Sequence, residues 1–237
     1  MTKKDTKRIL IKISWEALQW EKDHGIDPKF LHDLAKKIER IQKTWVEIAI
    51  VLGGGNIFRW VSWAAWWMDR TPADYMWMLA TVMNGVAFHD ALESVGLQAR
   101  LMSALHLPEV AEYYVKQKAD NHLSKGKIIV LVAGSWNPYF TTDSAGALRA
   151  LELDCDMMIK ATKVDGVYDK DPKKYDDAVM IKTATYKDVI NKDIRVMDHT
   201  AITLAKEWKL TLKVVNLYKP WSILDAIQGK DEWTTIS

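Results

Sequence analysis

The sequence predicts an α/β fold in which a mostly parallel central sheet is sandwiched between helices, in three layers. Short apolar runs rich in β-branched residues, such as Ile48–Leu52, are typical of strands buried on both faces. These runs alternate with segments whose apolar residues recur at helical spacing, as in the helix predicted from Pro28. This alternation favours parallel strands joined by helical crossovers.

The elements follow in chain order from these patterns. The predicted strands are Arg8–Ser14, Ile48–Leu52, Gln98–Ser103, Lys127–Ala133, Asp156–Ala161, Leu212–Asn216 and a terminal strand near Thr234–Ser237. Seven helices are predicted. The first begins at Pro28, the second spans Pro72–Ser94, the third runs from Pro108 through Val115, and the fourth spans Ser144–Leu153 with Asp143 or Ser144 as its cap. The fifth begins near Lys187, the sixth spans Asp198–Lys206, and the seventh follows Pro220. Because no linker or repeat interrupts the pattern, we expect a single domain over residues 1–237.

Composition limits the class of protein. The 237 residues carry a formal net charge of +2, which lacks the basic excess typical of nucleic-acid binders. The single cysteine, Cys155, cannot form an internal disulfide, which fits a reducing compartment. No apolar run has the length of a signal sequence or a membrane span. We therefore expect a cytoplasmic protein with no nucleic-acid or membrane partner.

The stretch around Gly53, Gly54 and Gly55 is the first candidate site. Successive glycines after a parallel strand can leave backbone N–H groups uncovered, which suits a phosphate. Asn56 and Arg59 add a hydrogen-bond donor and a fixed positive charge. The alternative interpretation is a plain tight turn between a strand and a helix.

Polar residues follow four of the predicted strands, at positions that a parallel sheet brings to one edge. They are Lys12–Ser14, Gly53–Arg59, Ser135–Asp143, and Thr162–Lys163 with Asp165, Tyr168 and Asp171. Lysines, hydroxyls and glycines in such a group suit a highly phosphorylated substrate. Neither a Walker A motif nor a GxGxxG motif occurs, so neither common nucleotide motif explains the pattern.

Several motifs identify a family resemblance over almost the whole chain. They are KRILIKIS, IVLGGGNIFR, MDRTPADYM, MLATVMNG, NPYFTTDSA, KATKVDGVYDKDP and the VMD of Val196–Asp198. With these motifs the chain resembles the bacterial uridylate (UMP) kinases of the amino acid kinase family. The resemblance implies transfer of the ATP γ-phosphoryl group to UMP with Mg²⁺, in a cytoplasmic enzyme of pyrimidine nucleotide biosynthesis. It also implies a homohexamer with GTP and UTP as effectors.

The resemblance also implies the binding residues. The ATP-site positions are Lys12, Ile13, Ser14, Trp15, Gly55, Arg59, Thr162, Tyr168 and Asp171. The UMP-site positions are Gly54, Asp74, Ser135, Trp136, Asn137, Pro138, Tyr139, Phe140, Thr141 and Thr142. The effector-linked segment is Trp20, Glu21, Lys22, Asp23, His24 and Gly25.

Residue chemistry adds three catalytic candidates. We expect the ammonium groups of Lys12 and Lys163 to neutralise the transferring phosphoryl group, since phosphoryl transfer depends on positioning and charge neutralisation. We expect Asp143 to orient Lys12 or a water on Mg²⁺. The alternatives are a helix cap for Asp143 and a solvated surface side chain for Lys163. The histidines lack metal-ligand spacing, so we predict no metal site made by the protein itself.

Tryptophan is unusually common, with 12 residues against 11 glycines. Most of these tryptophans stand where the family pattern has or readily takes glycine, as in KIS-Trp15-EAL and AGS-Trp136-NP, while Trp208 stands at a predicted helix end. We hypothesise that UGA codons read as glycine in the cell have been translated as tryptophan. The alternatives are deliberate tryptophan substitution and a tryptophan-rich surface for a partner or a membrane.

Two further functional readings stay open. Because Trp15 and Trp136 occupy predicted phosphate and UMP loops, the chain could be a catalytically impaired nucleotide-binding or regulatory protein of the same fold. It could also be another amino acid kinase, acting on carbamate, glutamate or aspartate; the NPYFTTD loop favours UMP.

Overall fold

The computed structural model describes residues 7–14, 25–58, 68–170, 172, 174–192, 194, 196–230 and 232–237. In chain order, the elements are β1 (Arg8–Ile13), α1 (Pro28–Gln42), β2 (Glu47–Leu52), α2 (Arg70–Ser94), β3 (Ala99–Ser103), β4 (Glu112–Tyr113), α3 (Lys116–Leu123), β5 (Ile128–Val132), α4 (Thr142–Glu152), β6 (Met157–Thr162), β7 (Val167–Tyr168), β8 (Met180–Ile181), β9 (Thr183–Ala184), α5 (Tyr186–Asn191), α6 (His199–Glu207), β10 (Thr211–Asn216), α7 (Ser222–Ile227) and β11 (Thr234–Ile236).

One sheet organises the described part of the chain. Its strand order is β4-β3-β5-β2-β1-β6-β10-β11-β9, and each neighbouring pair is parallel except β10 with β11. A separate antiparallel ribbon joins β7 to β8. Strands β1, β2 and β6 lie near the centre, so residues that follow them meet at one edge of the sheet.

Helices cover both faces of the sheet. Alternate residues of β1 point to opposite faces: Ile9, Ile11 and Ile13 pack with α1, α2 and α7, whereas Leu10 packs with α4 and α6. Both faces of these strands are therefore buried, which is why the strands read as continuous apolar runs. The predicted three-layer α/β fold with a mostly parallel sheet is confirmed.

Local signals place the helix ends close to the predicted ones. Asp27 caps α1 by accepting hydrogen bonds from the backbone N–H groups of Lys29 and Phe30, with Pro28 at the first helical position. Thr185 and Asp188 form a capping box that starts α5. Helix α2 begins at Arg70, two residues before the predicted start.

The helix predicted from Pro108 is wrong. Residues 107–110 make a single turn, and Glu112 and Tyr113 form β4 beside Met102 and Ser103 at the edge of the sheet. The edge strand offers unpaired backbone groups, and pairing with them outweighs the weak local helix signal. The next helix, α3, begins only at Lys116.

The very short strands were not predicted, because two residues carry no periodicity that a sequence pattern can reveal. Among the helices in the described ranges, none has the length and apolar composition needed to cross a membrane.

Candidate active site

A cavity of about 500 Å³ opens where β1 and β6 end and α4 begins. Its walls combine ammonium groups, hydroxyls and carboxylates, and they come from elements far apart in the sequence. The lining residues are Lys12, Ser14, Trp77, Thr141, Thr142, Asp143, Lys160, Thr162, Val196 and Asp198. This size and this mixture of groups suit a small polar ligand.

Strand register brings two lysines together. Lys12 on β1 and Lys160 on β6 are direct partners across the parallel pair, so their side chains leave the same face of the sheet. Lys12 is only 5% exposed, although a lysine is rarely buried without a partner. Two ammonium groups are thus held side by side beneath the start of α4.

Asp143 on α4 joins these lysines. Its Oδ2 accepts a 2.7 Å hydrogen bond from Lys160 Nζ, and its Oδ1 lies 2.8 Å from Lys12 Nζ in an ion pair without hydrogen-bond geometry. Burial alone would raise the pKa of Asp143, but the two positive charges outweigh it and lower the pKa to about 2. The carboxylate therefore stays ionised and holds both lysines in place.

The Lys160 ammonium group has a second hydrogen-bond acceptor besides Asp143. Its Nζ also donates to the carbonyl oxygen of Val196 at 2.6 Å. Burial lowers the pKa of Lys160, because removal from water disfavours the ammonium form, although Asp143 acts in the opposite direction.

The start of α4 is built to present Asp143 to the lysines. Thr141, rather than Asp143 or Ser144, caps the helix by accepting from the N–H groups of Asp143 and Ser144. The expected capping role of Asp143 or Ser144 is thus wrong, since the Asp143 carboxylate faces the lysines instead. Thr141 Oγ1 and Ser144 Oγ both donate to the Asp198 carboxylate at 2.5–2.8 Å.

Asp198 caps α6 beside the start of α4. Its Oδ1 accepts from the N–H of Ala201 and caps α6, while its carboxylate binds the hydroxyls of Thr141 and Ser144. The starts of α4 and α6 are therefore tied together beside the cavity.

A second cavity, of about 540 Å³, adjoins the first. It shares Lys160, Thr162 and Val196 with the first cavity and extends to Tyr168 and Lys170. Thr162 Oγ1 bonds within its own turn, with the backbone of Val164 at 3.1 Å. The two cavities therefore meet at Lys160, which gives room for two ligands with adjoining ends.

The glycine turn after β2 is anchored from α2. Asn56 and Asn84 exchange two side-chain hydrogen bonds of 2.9 and 2.7 Å, and Asn84 Nδ2 also donates to the carbonyl oxygen of Gly53 at 2.6 Å. Both asparagines are almost fully buried. At Gly54, an added Cβ would lie 2.5 Å from the carbonyl oxygen of Trp77, so no side chain fits there without movement.

The loop between β5 and α4 is anchored by Asp74. This buried carboxylate accepts from Arg70 Nε at 2.7 and 2.8 Å and from the N–H of Tyr139 at 2.7 Å. Trp136, in the same loop, packs its ring 4.9 Å from that of Tyr75. The Tyr139 side chain is largely exposed, and that of Phe140 is a little under half exposed.

Several predicted site residues lie outside the described residues. They are Trp15, Arg59 and Asp171 of the ATP site, and Trp20, Glu21, Lys22, Asp23 and His24 of the effector-linked segment. Gly25 is described, and its N–H donates to the carbonyl oxygen of Asn56 at 2.9 Å.

Of the other predicted residues, Lys12, Ser14, Thr141, Thr142, Asp143 and Thr162 line the first cavity, and Tyr168 lines the second. Ile13 is buried in β1, and Gly55 follows Gly54 in the anchored turn. Ser135, Asn137 and Pro138 lie in the loop anchored by Asp74, where the Ser135 hydroxyl accepts from the N–H of Asn137.

Lys163 is not among the residues that line either of these two cavities. It lies half-buried in the turn after β6, whereas Lys160, three residues earlier, shares Asp143 with Lys12. The catalytic role of Lys163 stays a prediction, and Lys160 is a candidate that sequence reasoning missed. A lysine inside an otherwise apolar strand is the signal that could have found it, because Lys12 has the same setting. Asn84 carries no such signal.

Comparison with known proteins now decides the family. The family model described as "Amino acid kinase family" matches residues 7–216. The chain belongs to the amino acid kinase family. Members of this family that resemble it include a uridylate kinase of Sulfurovum sp. (strain NBC37-1), which is 50% identical over 94% of this chain and 96% of the relative. A uridylate kinase of Xanthomonas oryzae pv. oryzae is 46% identical over 100% of this chain and 98% of the relative.

Solved structures from the family agree with this assignment. The UMP kinase from Ureaplasma parvum superposes with a TM-score of 0.92 at 36% sequence identity, covering 98% of this chain and 99% of that one. The UMP kinase from Bacillus anthracis gives a TM-score of 0.93 at 34% identity, covering 98% and 96%. The family fold therefore extends over nearly the whole chain.

Proposed function

We propose that this chain is a UMP kinase, which transfers the γ-phosphoryl group of ATP to UMP and releases UDP and ADP. The observation that carries the proposal is the Lys12–Asp143–Lys160 group at the junction of two cavities. The two uridylate kinases described above support the choice of UMP as substrate, because they are 50% and 46% identical to this chain over nearly their whole length.

The first cavity is assigned to UMP together with the γ-phosphate end of ATP, since it also holds the ATP-site candidates Lys12, Ser14 and Thr162, and the second cavity is assigned to the rest of ATP. Thr141 and Thr142, in the NPYFTTD motif, line the first cavity, whereas Tyr168 lines the second. The γ-phosphate of ATP and the phosphate of UMP then meet near Lys160, which borders both cavities. Asp74 acts as a positioning residue for the UMP loop through the N–H of Tyr139.

In the reaction, a phosphate oxygen of UMP attacks the γ-phosphorus while the bond to the β–γ bridging oxygen breaks. The UMP oxygen is already anionic at neutral pH, so the step needs no strong base. Lys12 and Lys160 stabilise negative charge on the transferring group, and Asp143 keeps both ammonium groups aimed at it. Because the lysines are fixed before substrate binds, little reorganisation is needed at the moment of transfer.

We also propose that Mg²⁺ enters with ATP. Within the described ranges, no cluster of three or more His, Cys, Asp or Glu side chains could hold a metal ion, which fits an ion held mainly by nucleotide phosphates. The Asp143 and Asp198 carboxylates already interact with lysines and hydroxyls, so we do not assign either of them as a metal ligand. When bound, Mg²⁺ neutralises phosphate charge.

The test is ADP release by the purified chain with ATP and Mg²⁺, in the presence and absence of UMP. We expect release that depends on UMP and does not appear with carbamate, glutamate or aspartate in its place. We expect Lys12→Met to lower kcat at least ~100-fold, since it removes a charge next to the transferring group. Release that depends on one of the three other acceptors would overturn the choice of UMP.

The same assay separates turnover from the impaired alternative. A version with glycine at all twelve tryptophan positions is measured beside the chain as written. UMP-dependent release by the glycine version alone would mean that the written chain keeps the fold but is impaired by its tryptophans. Failure of both versions, with ATP binding intact, would favour a regulatory nucleotide-binding protein.

We further propose a homohexamer with GTP and UTP as effectors, acting in the cytoplasm in pyrimidine nucleotide biosynthesis. Support for self-association comes from α2, where Met76, Leu79, Met83 and Val86 are 40–57% exposed and share one helix face. An apolar stripe of this kind is typical of a protein–protein contact. The effector assignment is tested by adding GTP and UTP to the assay.

Assembly is tested by light scattering on Met83→Asp, with Val179→Asp as the matched control. Val179 is 65% exposed and lies outside α2. We expect Met83→Asp alone to reduce the oligomer, because a charge would be buried in the contact. An unchanged mass for Met83→Asp would contradict the use of this face.

A further inference from the structure

Trp45 occupies an unusual place at the end of α1. Its backbone is left-handed, with φ +62°, and its N–H donates to the carbonyl oxygen of Gln42 at 3.0 Å. Its side chain is 87% exposed, so packing of the indole does little to offset the energetic cost of the left-handed backbone. Exposed indoles are uncommon, and an exposed indole with a left-handed backbone combines two unfavourable features.

Three other helices end in the same geometry with glycine. Gly96, Gly126 and Gly229 have φ between +72° and +84°, and each donates its N–H to the carbonyl oxygen three residues earlier. This is the usual setting of a glycine that closes a helix, because glycine has no Cβ to clash there. Two polar residues, Asp154 and Lys209, end α4 and α6 with φ +53°. Trp45 is the bulky, apolar member of this set.

Trp136 also has a left-handed backbone, although its indole is half-buried and packs against Tyr75. It has φ +56° and lies in the loop between β5 and α4. Ala133, Gly134 and Tyr139 in or beside this loop also have positive φ. A left-handed angle is costly for any residue with a Cβ, and Tyr139 at φ +71° bears the same cost, so Trp136 supports the inference from Trp45 and does not carry it alone.

We propose that residues 45 and 136 are glycine in the protein made by its own cell, because the gene carries UGA codons there that this cell reads as glycine. The inference rests on backbone geometry. Of the tryptophans in the described ranges, Trp77, Trp208, Trp221 and Trp233 lack a left-handed φ and do not carry it. At the end of α6 the residue with a left-handed backbone is Lys209, and Trp208 has φ −101°. The backbone at residue 208 therefore does not require glycine.

The proposal at residue 45 is independent of the proposed function. Trp45 precedes β2, whereas the candidate site lies where the strands end, at the opposite edge of the sheet. A change at residue 45 therefore reports on folding alone. Failure of the UMP assay would leave this proposal standing, and failure of the stability test would leave the UMP proposal standing.

The experiment compares thermal unfolding of Trp45→Gly, Trp45→Ala and Trp208→Gly with the chain as written. We expect Trp45→Gly to raise Tm by about 2–4 °C, the shift of a modest stabilisation in a chain of this size. Trp45→Ala also removes the indole but keeps a Cβ at positive φ, so it should gain less. Trp208→Gly, an exposed helix-end tryptophan with φ −101°, should gain nothing.

Two results would overturn the proposal. One is a gain for Trp45→Ala equal to that of Trp45→Gly, which would mean that only the exposed indole matters. The other is a UGG codon at position 45 or 136 in the natural gene. Peptide mass spectrometry of the protein from its own cells supplies the second readout, and we expect glycine masses at both positions.

Discussion

Lys12 and Lys160 are direct register partners on adjacent parallel strands, and each lies against a different oxygen of the same buried carboxylate. They are 148 residues apart in the chain, so only the sheet brings them together. In a kinase, this arrangement places two positive charges at a fixed spacing before substrate arrives.

Asp143→Asn is the sharpest test of this group. We expect kcat to fall ~100-fold or more, since the amide cannot hold two ammonium groups in place. We also expect unfolding to become easier by about 3–5 kcal/mol, because breaking a buried charge network leaves charges uncompensated. Steady-state kinetics and denaturant unfolding measure the two effects.

The control for this change is Asp33→Asn. Asp33 pairs with Lys29 on the exposed surface of α1, where an ion pair contributes little. Kinetics and unfolding should both match the unsubstituted chain. Equal losses from Asp33→Asn and Asp143→Asn would refute the special role of the buried carboxylate.

Acid should weaken the fold partly through Asp143. Its pKa in the folded protein is about 2, below the ordinary value of about 3.9 expected on unfolding. The unfolded state therefore binds a proton first as pH falls, and stability drops between about pH 4 and pH 2. The stabilisation present above pH 4 amounts to about 2–3 kcal/mol.

Unfolding free energy measured against pH for the unsubstituted chain and Asp143→Asn tests this sign. We expect the difference between the two curves to be largest near neutral pH and to shrink below pH 4. A difference that stays constant down to pH 2 would mean that the Asp143 carboxylate does not titrate as described.

Lys160 and Lys163 can be told apart by matched substitutions. Lys160→Met should lower kcat ~100-fold, with a smaller change in the KM for UMP, because the Lys160 ammonium group, held in place by Asp143, stabilises charge on the transferring group. Lys163→Met tests the role predicted from the sequence. A larger kcat loss for Lys163→Met than for Lys160→Met would restore the original assignment.

Asn84→Ala tests the anchor of the glycine turn. The change removes the side-chain donor to Asn56 Oδ1 and to the carbonyl oxygen of Gly53, whereas Asn56 Nδ2 still donates to the carbonyl oxygen of Gly25; we expect a cost of about 1–3 kcal/mol in unfolding free energy. We expect the KM for nucleotide to rise as the turn loosens. Ser94→Ala removes an exposed hydrogen bond from the same helix and should change neither quantity, as unfolding and kinetics can check.

The sequence by itself determined the α/β class, the main strands and most helices. Strands buried on both faces leave continuous apolar runs, whereas helices buried on one face leave apolar residues at helical spacing, so the two patterns can be told apart. Its motifs also singled out Lys12, the glycine turn and Asp143, since these lie within short continuous segments next to strand ends.

Only the tertiary structure decided which side chains meet. Lys160 faces Lys12 because of strand register, and Asn84 reaches Asn56 across two elements; neither relation leaves a local pattern. The edge strand β4 replaced a predicted helix for the same reason, since its stability comes from pairing with β3. The strained angles at Trp45 and Trp136 likewise appear only once the backbone path is known, because a residue name does not specify φ.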